Sequence, residues 1–202
     1  MPIILPNTTS RKPLPCCQHD SGFTLIEVLV TLVVLSIGLL GLAELQISGL
    51  RANMSSEARS KATLLASDIV ERMRANPLGV AAGAYHGIAA SKTICAGVRP
   101  VPFCSSTSGN NGIVPSCTTG ATMAAVDAWV WGCGMAPPGV QQGGVANQLP
   151  NGMASVTCND NNPDDAFPCT PGSQNTITIS WNELSPTDGA FTPQTISLTI
   201  VP

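Results

Sequence analysis

Charge is scarce in this sequence, and positive charge is absent from its second half. Only 10% of the 202 residues are charged, and all nine lysines and arginines lie at or before Arg99. The stretch from Pro100 to Pro202 holds six acidic residues and no basic one. Because a protein that binds nucleic acid needs cations to neutralise phosphates, we expect no direct nucleic-acid binding.

Residues and motifs that usually carry catalysis are also lacking. The only histidines are His19 and His86, which leaves a serine or cysteine nucleophile without a recognisable base. The sequence has no phosphate-binding loop and no nicotinamide or flavin fingerprint. We therefore predict that the protein is not an enzyme and needs no cofactor, and that its three tryptophans lie in a core.

One long apolar run stands near the start of the chain. From Phe23 to Ala43 the only charge is Glu27, and the run would be about 32 Å long as a helix, which matches a bilayer core. An uncleaved signal anchor has the same length. A secretory signal, however, places its small cleavage residue after the apolar run, whereas here Gly22 precedes it. If the chain is cleaved, we expect the cut at Gly22.

The helical pattern continues beyond the apolar run. Between Leu42 and Met73, apolar or small residues recur every three or four positions, as on one face of an amphipathic helix. The pair Asn76-Pro77 then indicates a stop, because the residue before proline avoids the helical region. We predict one helix from about Thr24 to Ala75, apolar all round in its first half.

The remainder of the chain predicts short elements and a small sheet. A helix is expected over 118–133, capped by Thr118 or Thr119, followed by loop to Pro150. Alternating apolar and polar residues predict strands at 153–159, 175–184 and 193–202, which form an antiparallel meander. The face that packs on the long helix is expected to carry Ile177, Ile179 and Trp181 on one strand and Ile196, Leu198 and Ile200 on the next.

Eight cysteines are many for this length, yet none belongs to a Cys-x-x-Cys pair. Zinc sites usually contain such a pair, so scattered cysteines after a membrane segment favour disulfides made in an oxidising compartment. Their spacing leaves the connectivity open, and the one pairing that we favour is Cys158 with Cys169. The disulfide candidates are Cys95, Cys104, Cys117, Cys133, Cys158 and Cys169.

The run "DNNPDD" at 160–165 has a partial calcium pattern. Asp160, Asn162 and Asp164 stand at the first three ligand spacings of a calcium loop, but Asp165 replaces the glycine and Pro171 the final glutamate. A polar surface loop is the favoured interpretation, and weak calcium binding by the first three residues is the alternative. No other metal site is predicted.

Two stretches resemble a known family. "GFTLIEVLVTLVVLSIGLLGL" resembles the class III signal of type IV pilins and of type II secretion pseudopilins, in which glycine and phenylalanine precede an apolar helix with glutamate at the fifth mature position. "SEARSKATLLASDIVERMRANP" resembles the PilV family of minor pilins, also called type IV pilus modification proteins. The resemblance is strong over 21–77 and loose over 175–202, and the segment 78–174 matches nothing that we recognise.

The resemblance implies roles for three residues. Gly22 would be the last residue of a leader removed by a prepilin peptidase, and Phe23 the new N-methylated amino terminus. Glu27 would pair with the amino terminus of a neighbouring subunit and so set the register between helices. The alternative is a glutamate at the headgroup level of the membrane. The implied segments are a leader (1–22), a transmembrane and assembly helix (23–43), its amphipathic continuation (44–76) and an exported head (77–202) with a variable cysteine-rich insert (78–174) and C-terminal strands (175–202).

The resemblance further implies a pilin-like α+β fold, with the long helix packed on a small antiparallel sheet and disulfide-bonded loops. The expected function is assembly, priming or tip formation of a type IV pilus, which serves adhesion and twitching motility. The expected partners are other pilins and minor pilins through the N-terminal helix, the prepilin peptidase, the inner-membrane assembly platform and the membrane. The chain would cross the inner membrane once, with its head in the periplasm, and later reach the pilus or cell surface. A pseudopilin of type II secretion, and an anchored adhesin that binds through 78–174, are the alternatives.

Overall fold

The computed structural model describes residues 22–100, 117–135, 143–162, 164, 169–185 and 189–202. The chain divides into two compact units, Met1–Gln46 and Ile47–Pro202. The first unit holds the apolar beginning of the long helix. The second unit holds the rest of that helix together with every other helix and strand that the structure describes.

The long helix, α1, spans Leu25–Ala75, in agreement with the predicted span. It begins where the Thr24 hydroxyl accepts a hydrogen bond from the Glu27 amide at 3.3 Å. Its last residue is Ala75. The following residue, Asn76, caps the next helix, because its side chain accepts a hydrogen bond from the amide of Gly79. That helix, α2 (Pro77–Ala81), has proline at its first position, where no amide hydrogen is needed.

Four strands form one sheet in the order β1-β2-β3-β4, and every neighbouring pair is antiparallel. Their bounds are Ile88–Ala90 (β1), Met153–Asn159 (β2), Gln174–Leu184 (β3) and Phe191–Ile200 (β4). The predicted meander is therefore confirmed, with Ile177 opposite Leu198 and Ile179 opposite Ile196. Strand β1 has no counterpart among the predicted strands, because three residues are too few to show alternation and only the pairing with β2 defines them.

The core of the second unit lies between α1 and the sheet. The buried stripe on α1 consists of Ala58, Ala62, Leu65, Ala66, Ile69, Val70 and Met73. It packs against Ile177, Ile179 and Trp181 of β3, as the pattern predicted. On β4 the expected packing is only partly found: Ile196 and Ile200 are partly buried and Leu198 is exposed, because β4 lies at the side of the sheet.

The remaining helices are α3 (Lys92–Cys95), α4 (Gly120–Cys133) and α5 (Val145–Gln148). Helix α4 was predicted, and Thr119 caps it through a reciprocal pair of hydrogen bonds with Thr122. Helix α5 corrects the expectation of loop from 134 to 150. Its single turn forms because Val145 and Ala146 are fully buried, a tertiary effect with no local periodicity. Trp129, Trp131 and Trp181 are all buried, as predicted.

Disulfide bonds link the loops of the head, which confirms the prediction of disulfide-bonded cysteines. Cys95 is bonded to Cys133 and so ties α3 to the end of α4. Cys158 is bonded to Cys169, the one pairing that the sequence singled out. Cys117 is also disulfide-bonded, whereas Cys104 lies outside the described residues. A long helix on an antiparallel sheet with disulfide-bonded loops is the predicted α+β architecture.

Candidate functional site

The junction between Gly22 and Phe23 is open to solvent. Gly22 is exposed, and a Cβ atom placed on it would meet no other atom within 4 Å. The Phe23 side chain is 84% exposed. Neither residue is needed for packing within the described part of the chain. The peptide bond between them is therefore accessible to an enzyme, although residues 1–21 of the predicted leader lie outside the described residues.

Glu27 stands in the first turn of α1, where the helix dipole favours a negative charge. The spacing Thr24-x-x-Glu27 is that of a helix-capping box, a local signal that the sequence analysis did not use. The Glu27 side chain is exposed, and within the described ranges it forms no ion pair. Its carboxylate is thus free to meet a cation supplied from outside the chain.

The first part of α1 is apolar on every side and exposed. An 18-residue window of α1 has a mean hydropathy of 2.6 and none of it is buried. Its hydroxyl groups are satisfied within the helix, since Thr31 donates to the Val28 carbonyl at 2.8 Å and Ser36 to the Leu32 carbonyl at 2.7 Å. A helix with satisfied backbone and hydroxyl groups can enter hydrocarbon. Among the described residues, this is the one helix long and apolar enough to cross a membrane.

A buried polar network lies in the second unit, where α1 ends, and sequence reasoning missed it. Tyr85 donates to Asp127 Oδ2 at 2.6 Å, and Arg72 Nη1 lies 3.3 Å from Asp127 Oδ1. Asn76 Nδ2 donates to the Tyr85 hydroxyl at 3.1 Å and to the Gly120 carbonyl at 2.8 Å. The network joins the end of α1 to α2 and α4. An aspartate within the apolar helix α4 and the single tyrosine of the chain were the only signals of it.

Burial, followed by the hydrogen bond to Asp127, raises the pKa of Tyr85 well above its usual value. The phenol therefore keeps its proton and remains a donor over the whole physiological range. A neutral phenol that donates to a buried carboxylate, beside an arginine, is a structural arrangement that fixes the helices. Tyr85 and Asp127 are both buried, whereas the Arg72 side chain is partly exposed.

Asp160, Asn162 and Asp164, the three residues of the partial calcium pattern, have different surroundings in the structure. Asp160 Oδ1 accepts hydrogen bonds from the Asn162 amide at 3.2 Å, the Thr170 amide at 2.9 Å and the Ser173 hydroxyl at 3.2 Å. This carboxylate thus links Asn162 with Thr170 and Ser173 beside the Cys158–Cys169 disulfide. Among the described residues, no group of three or more His, Cys, Asp or Glu side chains is placed to hold a metal ion. Asp164 is exposed.

The Asp160 loop should lose order in strong acid. The hydrogen bond from the Thr170 amide, with smaller contributions from Asn162 and Ser173, lowers the pKa of Asp160 to about 2. A lowered pKa means that the contribution to stability is complete above the unfolded value of about 3.9 and is lost as the pH falls through about 2. We expect the Asp160 carboxyl to titrate near 2 by NMR, and the Thr170 amide to exchange faster in Asp160→Asn at neutral pH. A carboxyl that titrates near 4 would contradict this account of the loop.

These features define a class of protein: an accessible Gly-Phe junction leads into an apolar helix, which continues into a disulfide-bonded α+β head. Residues 17–43 match the family model described as the prokaryotic N-terminal methylation motif. Residues 44–129 match the family model described as type IV pilin Tt1218. The chain thus matches a prepilin-type motif and, over less than half of its length, a type IV pilin model. Its long helix on a four-stranded antiparallel sheet matches an α+β pilin fold. No curated protein and no solved structure gives a significant match.

The comparison corrects one expectation. The resemblance noted in the sequence covered 21–77 strongly and 175–202 loosely, and it left 78–174 unmatched. The pilin model extends to residue 129 and so includes α2, β1, α3 and most of α4. Part of that segment therefore has pilin-like sequence, with the buried network of Tyr85 and Asp127 inside it. Neither the weak periodicity of this segment nor its cysteines indicated a pilin-like sequence.

Proposed function

We propose that this chain is a minor pilin of the PilV kind, which acts in assembly, priming or tip formation of a type IV pilus. A prepilin peptidase removes residues 1–22 and methylates the new amino terminus at Phe23. The segment 23–43 then crosses the inner membrane once, with the head 77–202 in the periplasm, until the subunit enters the pilus or reaches the cell surface. The protein performs no catalysis.

The observation that carries this proposal is the direct succession of the two matched regions. The methylation motif ends at residue 43 and the pilin model begins at residue 44. The first region presents a fully exposed apolar helix, which in water would expose far more apolar surface than a soluble protein tolerates. The lipid bilayer buries this apolar surface first. The apolar helices of neighbouring subunits bury it after assembly.

Glu27 has a defined role in this scheme. Cleavage after Gly22 creates an ammonium group at Phe23, so each processed subunit carries one cation and one anion near its helix start. An unpaired charge in apolar surroundings is unfavourable by several kcal/mol, about 3 to 5 when a buried pair is broken. A subunit whose Glu27 lies beside a neighbour's amino terminus avoids that cost, and a subunit displaced along its neighbour does not. The pair therefore selects one register.

The proposed partners follow from the same geometry. Other pilins and minor pilins contact the apolar helix, the prepilin peptidase acts at Gly22 and Phe23, and the inner-membrane assembly platform receives the anchored subunit. The motif by itself is shared with pseudopilins of type II secretion. The match of residues 44–129 to a type IV pilin model is what favours the pilus.

Mass spectrometry of the chain made with an active prepilin peptidase tests the proposal. We expect the mature protein to begin at N-methylated Phe23. Gly22→Leu should leave the leader in place, because the small residue at the cut is lost. Gly41→Ala is the matched control, since a Cβ on Gly41 meets no atom within 4 Å, and it should be processed normally. A mature start at Met1, or a cut beyond residue 43, would refute the proposal.

A further inference from the structure

The Cys95–Cys133 disulfide joins α3 to the rest of the head at a place where hydrogen bonds do not. The amides of residues 94–97 donate only to acceptors within residues 91–95, at 2.9 to 3.3 Å. In the described part of the chain, no hydrogen bond connects α3 to another helix or strand, and α3 has no buried residue. A helix of one turn has little stability of its own in water. The disulfide and the packing around it therefore keep α3 folded.

Helix α4, on the other side of this disulfide, is held by contacts that do not involve sulfur. Trp131 Nε1 donates to the Leu65 carbonyl of α1 at 2.7 Å, and Asp127 belongs to the buried network at the end of α1. Asn147 Nδ2 donates to the Cys133 carbonyl at 3.2 Å. These bonds remain when the disulfide is broken. Loss of the disulfide should therefore free α3 and leave α4 in place.

Cys95 also covers a small apolar cluster that is separate from the main core. The buried members of this cluster are Val126, Trp129 and Cys133, and Cys95 packs against them. Trp129 is 8% exposed, and its indole N–H has no hydrogen-bond partner among the described residues. A buried N–H without a partner is unfavourable, and it gains a partner when water reaches it. Opening this cluster is therefore less unfavourable than opening the main core.

The two cysteines of this disulfide differ in accessibility. Cys95 is partly exposed, whereas Cys133 is buried. A thiolate can attack only a sulfur that it reaches, so a dithiol reductant should attack Cys95. The S–S bond then breaks, Cys133 leaves as a thiolate that takes up a proton, and a mixed disulfide forms at Cys95. The second thiol of the reductant displaces Cys95, so that two electrons pass from the dithiol, which becomes a disulfide, to the two cysteines, which become thiols.

We propose that the Cys95–Cys133 disulfide is a redox-sensitive switch in the head. A dithiol reductant opens it at Cys95, α3 unfolds, and the cluster around Trp129 becomes accessible, while α4, the sheet and the main core keep their structure. In an oxidising compartment the switch is closed. The switch involves the head alone, so it does not depend on the proposed pilus function.

The Cys158–Cys169 disulfide does not act in this way, because hydrogen bonds hold the chain at both of its ends. The Cys158 amide donates to His86 Nδ1 at 3.1 Å, and its strand, β2, is paired with β3. Next to Cys169, the Thr170 amide donates to Asp160 Oδ1 at 2.9 Å. Both ends should therefore stay in place after reduction. This bond is the matched control, since it has the same chemistry but different support.

Hydrogen exchange of the full chain in detergent, before and after reduction with dithiothreitol, tests the switch. We expect the amides of residues 94–97 to exchange at least about tenfold faster after reduction, because their hydrogen bonds are lost when α3 unfolds. Amides of α4 and β3 should keep their rates within about twofold. The double variant Cys95→Ala/Cys133→Ala should show the fast rates without reductant. The control, Cys158→Ala/Cys169→Ala, should keep residues 94–97 slow until reductant is added.

A monothiol tests where the attack occurs. Glutathione can form a mixed disulfide but has no second thiol with which to complete the reduction. After an acid quench and alkylation in denaturant, peptide mapping of this disulfide should find glutathione on Cys95 and the alkyl group on Cys133. The opposite distribution would contradict the proposed opening at Cys95.

Three further results would overturn the proposal. Slow exchange of residues 94–97 in the reduced chain, or in Cys95→Ala/Cys133→Ala, would show that other contacts hold α3. Faster exchange throughout α4 and β3 would show that the disulfide supports the whole head. A disulfide that dithiothreitol leaves intact in the folded chain would show that there is no switch. None of these readouts depends on cleavage at Gly22, so a failure of the proposed function in the processing experiment is recognised separately.

Discussion

Glu27→Gln is expected to remove the subunit from fibres while leaving its processing intact. Without the carboxylate, the amino terminus of the neighbouring subunit remains an unpaired charge among apolar helices. That cost is about 3 kcal/mol or more, which corresponds to about a 100-fold loss of incorporation. The measurement is the ratio of the subunit in sheared fibres to that in membranes, with the mass of the mature chain determined in parallel.

The matched control for this experiment is Glu44→Gln. Glu44 is the next acidic residue along α1, is likewise exposed, and follows the apolar run directly. Its neutralisation should change incorporation by less than about twofold, since an exposed charge outside the apolar segment contributes little. If Glu27→Gln and Glu44→Gln enter fibres as well as the unaltered chain does, Glu27 has no role in register. A normal processed mass separates assembly from cleavage.

Asp127→Ala is expected to lower the free energy of unfolding of the head by about 3 kcal/mol. The substitution removes the 2.6 Å acceptor of the buried Tyr85 hydroxyl, which keeps only the Arg72 carbonyl at 3.4 Å, and it removes the ion-pair partner of Arg72 Nη1. Tyr85→Phe removes the hydrogen bond that the hydroxyl donates to Asp127 and the one that it accepts from Asn76, but it keeps the Arg72–Asp127 ion pair, and we expect a smaller loss of about 2 kcal/mol. Denaturant unfolding followed by tryptophan fluorescence measures both, because all three tryptophans lie after α1.

Glu71→Ala provides the comparison for Asp127→Ala. Glu71 forms an ion pair with Arg74 at 2.8 Å, but both side chains are more than half exposed. Exposed pairs contribute at most about 1 kcal/mol, so this variant should unfold nearly as the unaltered chain does. An equally small loss of unfolding free energy in Asp127→Ala and Glu71→Ala would show that the buried network does not stabilise the packing of the end of α1 against α2 and α4.

Local signals in the sequence predicted most of the fold. The extent of α1 follows from the apolar run, its amphipathic continuation and the asparagine-proline stop, and the Thr24 cap found in the structure is a further local signal. The stripe Ala58 to Met73 and the alternation of β3 follow from periodicity, which reports the face that a regular element buries. Cysteine spacing excluded close metal pairs. The Gly22, Phe23 and Glu27 constellation likewise lies within six consecutive residues, so the sequence alone could show it.

The remaining features depend on contacts between residues far apart in the chain. Strand β1 exists because it pairs with β2, more than sixty residues later, and α5 because Val145 is buried by other elements. The Tyr85–Asp127 bond spans 42 positions, and no spacing rule connects such a pair. The place of β4 at the end of the strand order is also a tertiary result, since periodicity predicts a strand but not its place in the sheet. The sequence by itself determined the anchor, the motif and the elements. The tertiary structure alone decided which polar groups are buried together and in what order the strands pair, because both depend on how the elements pack and not on the order of neighbouring residues.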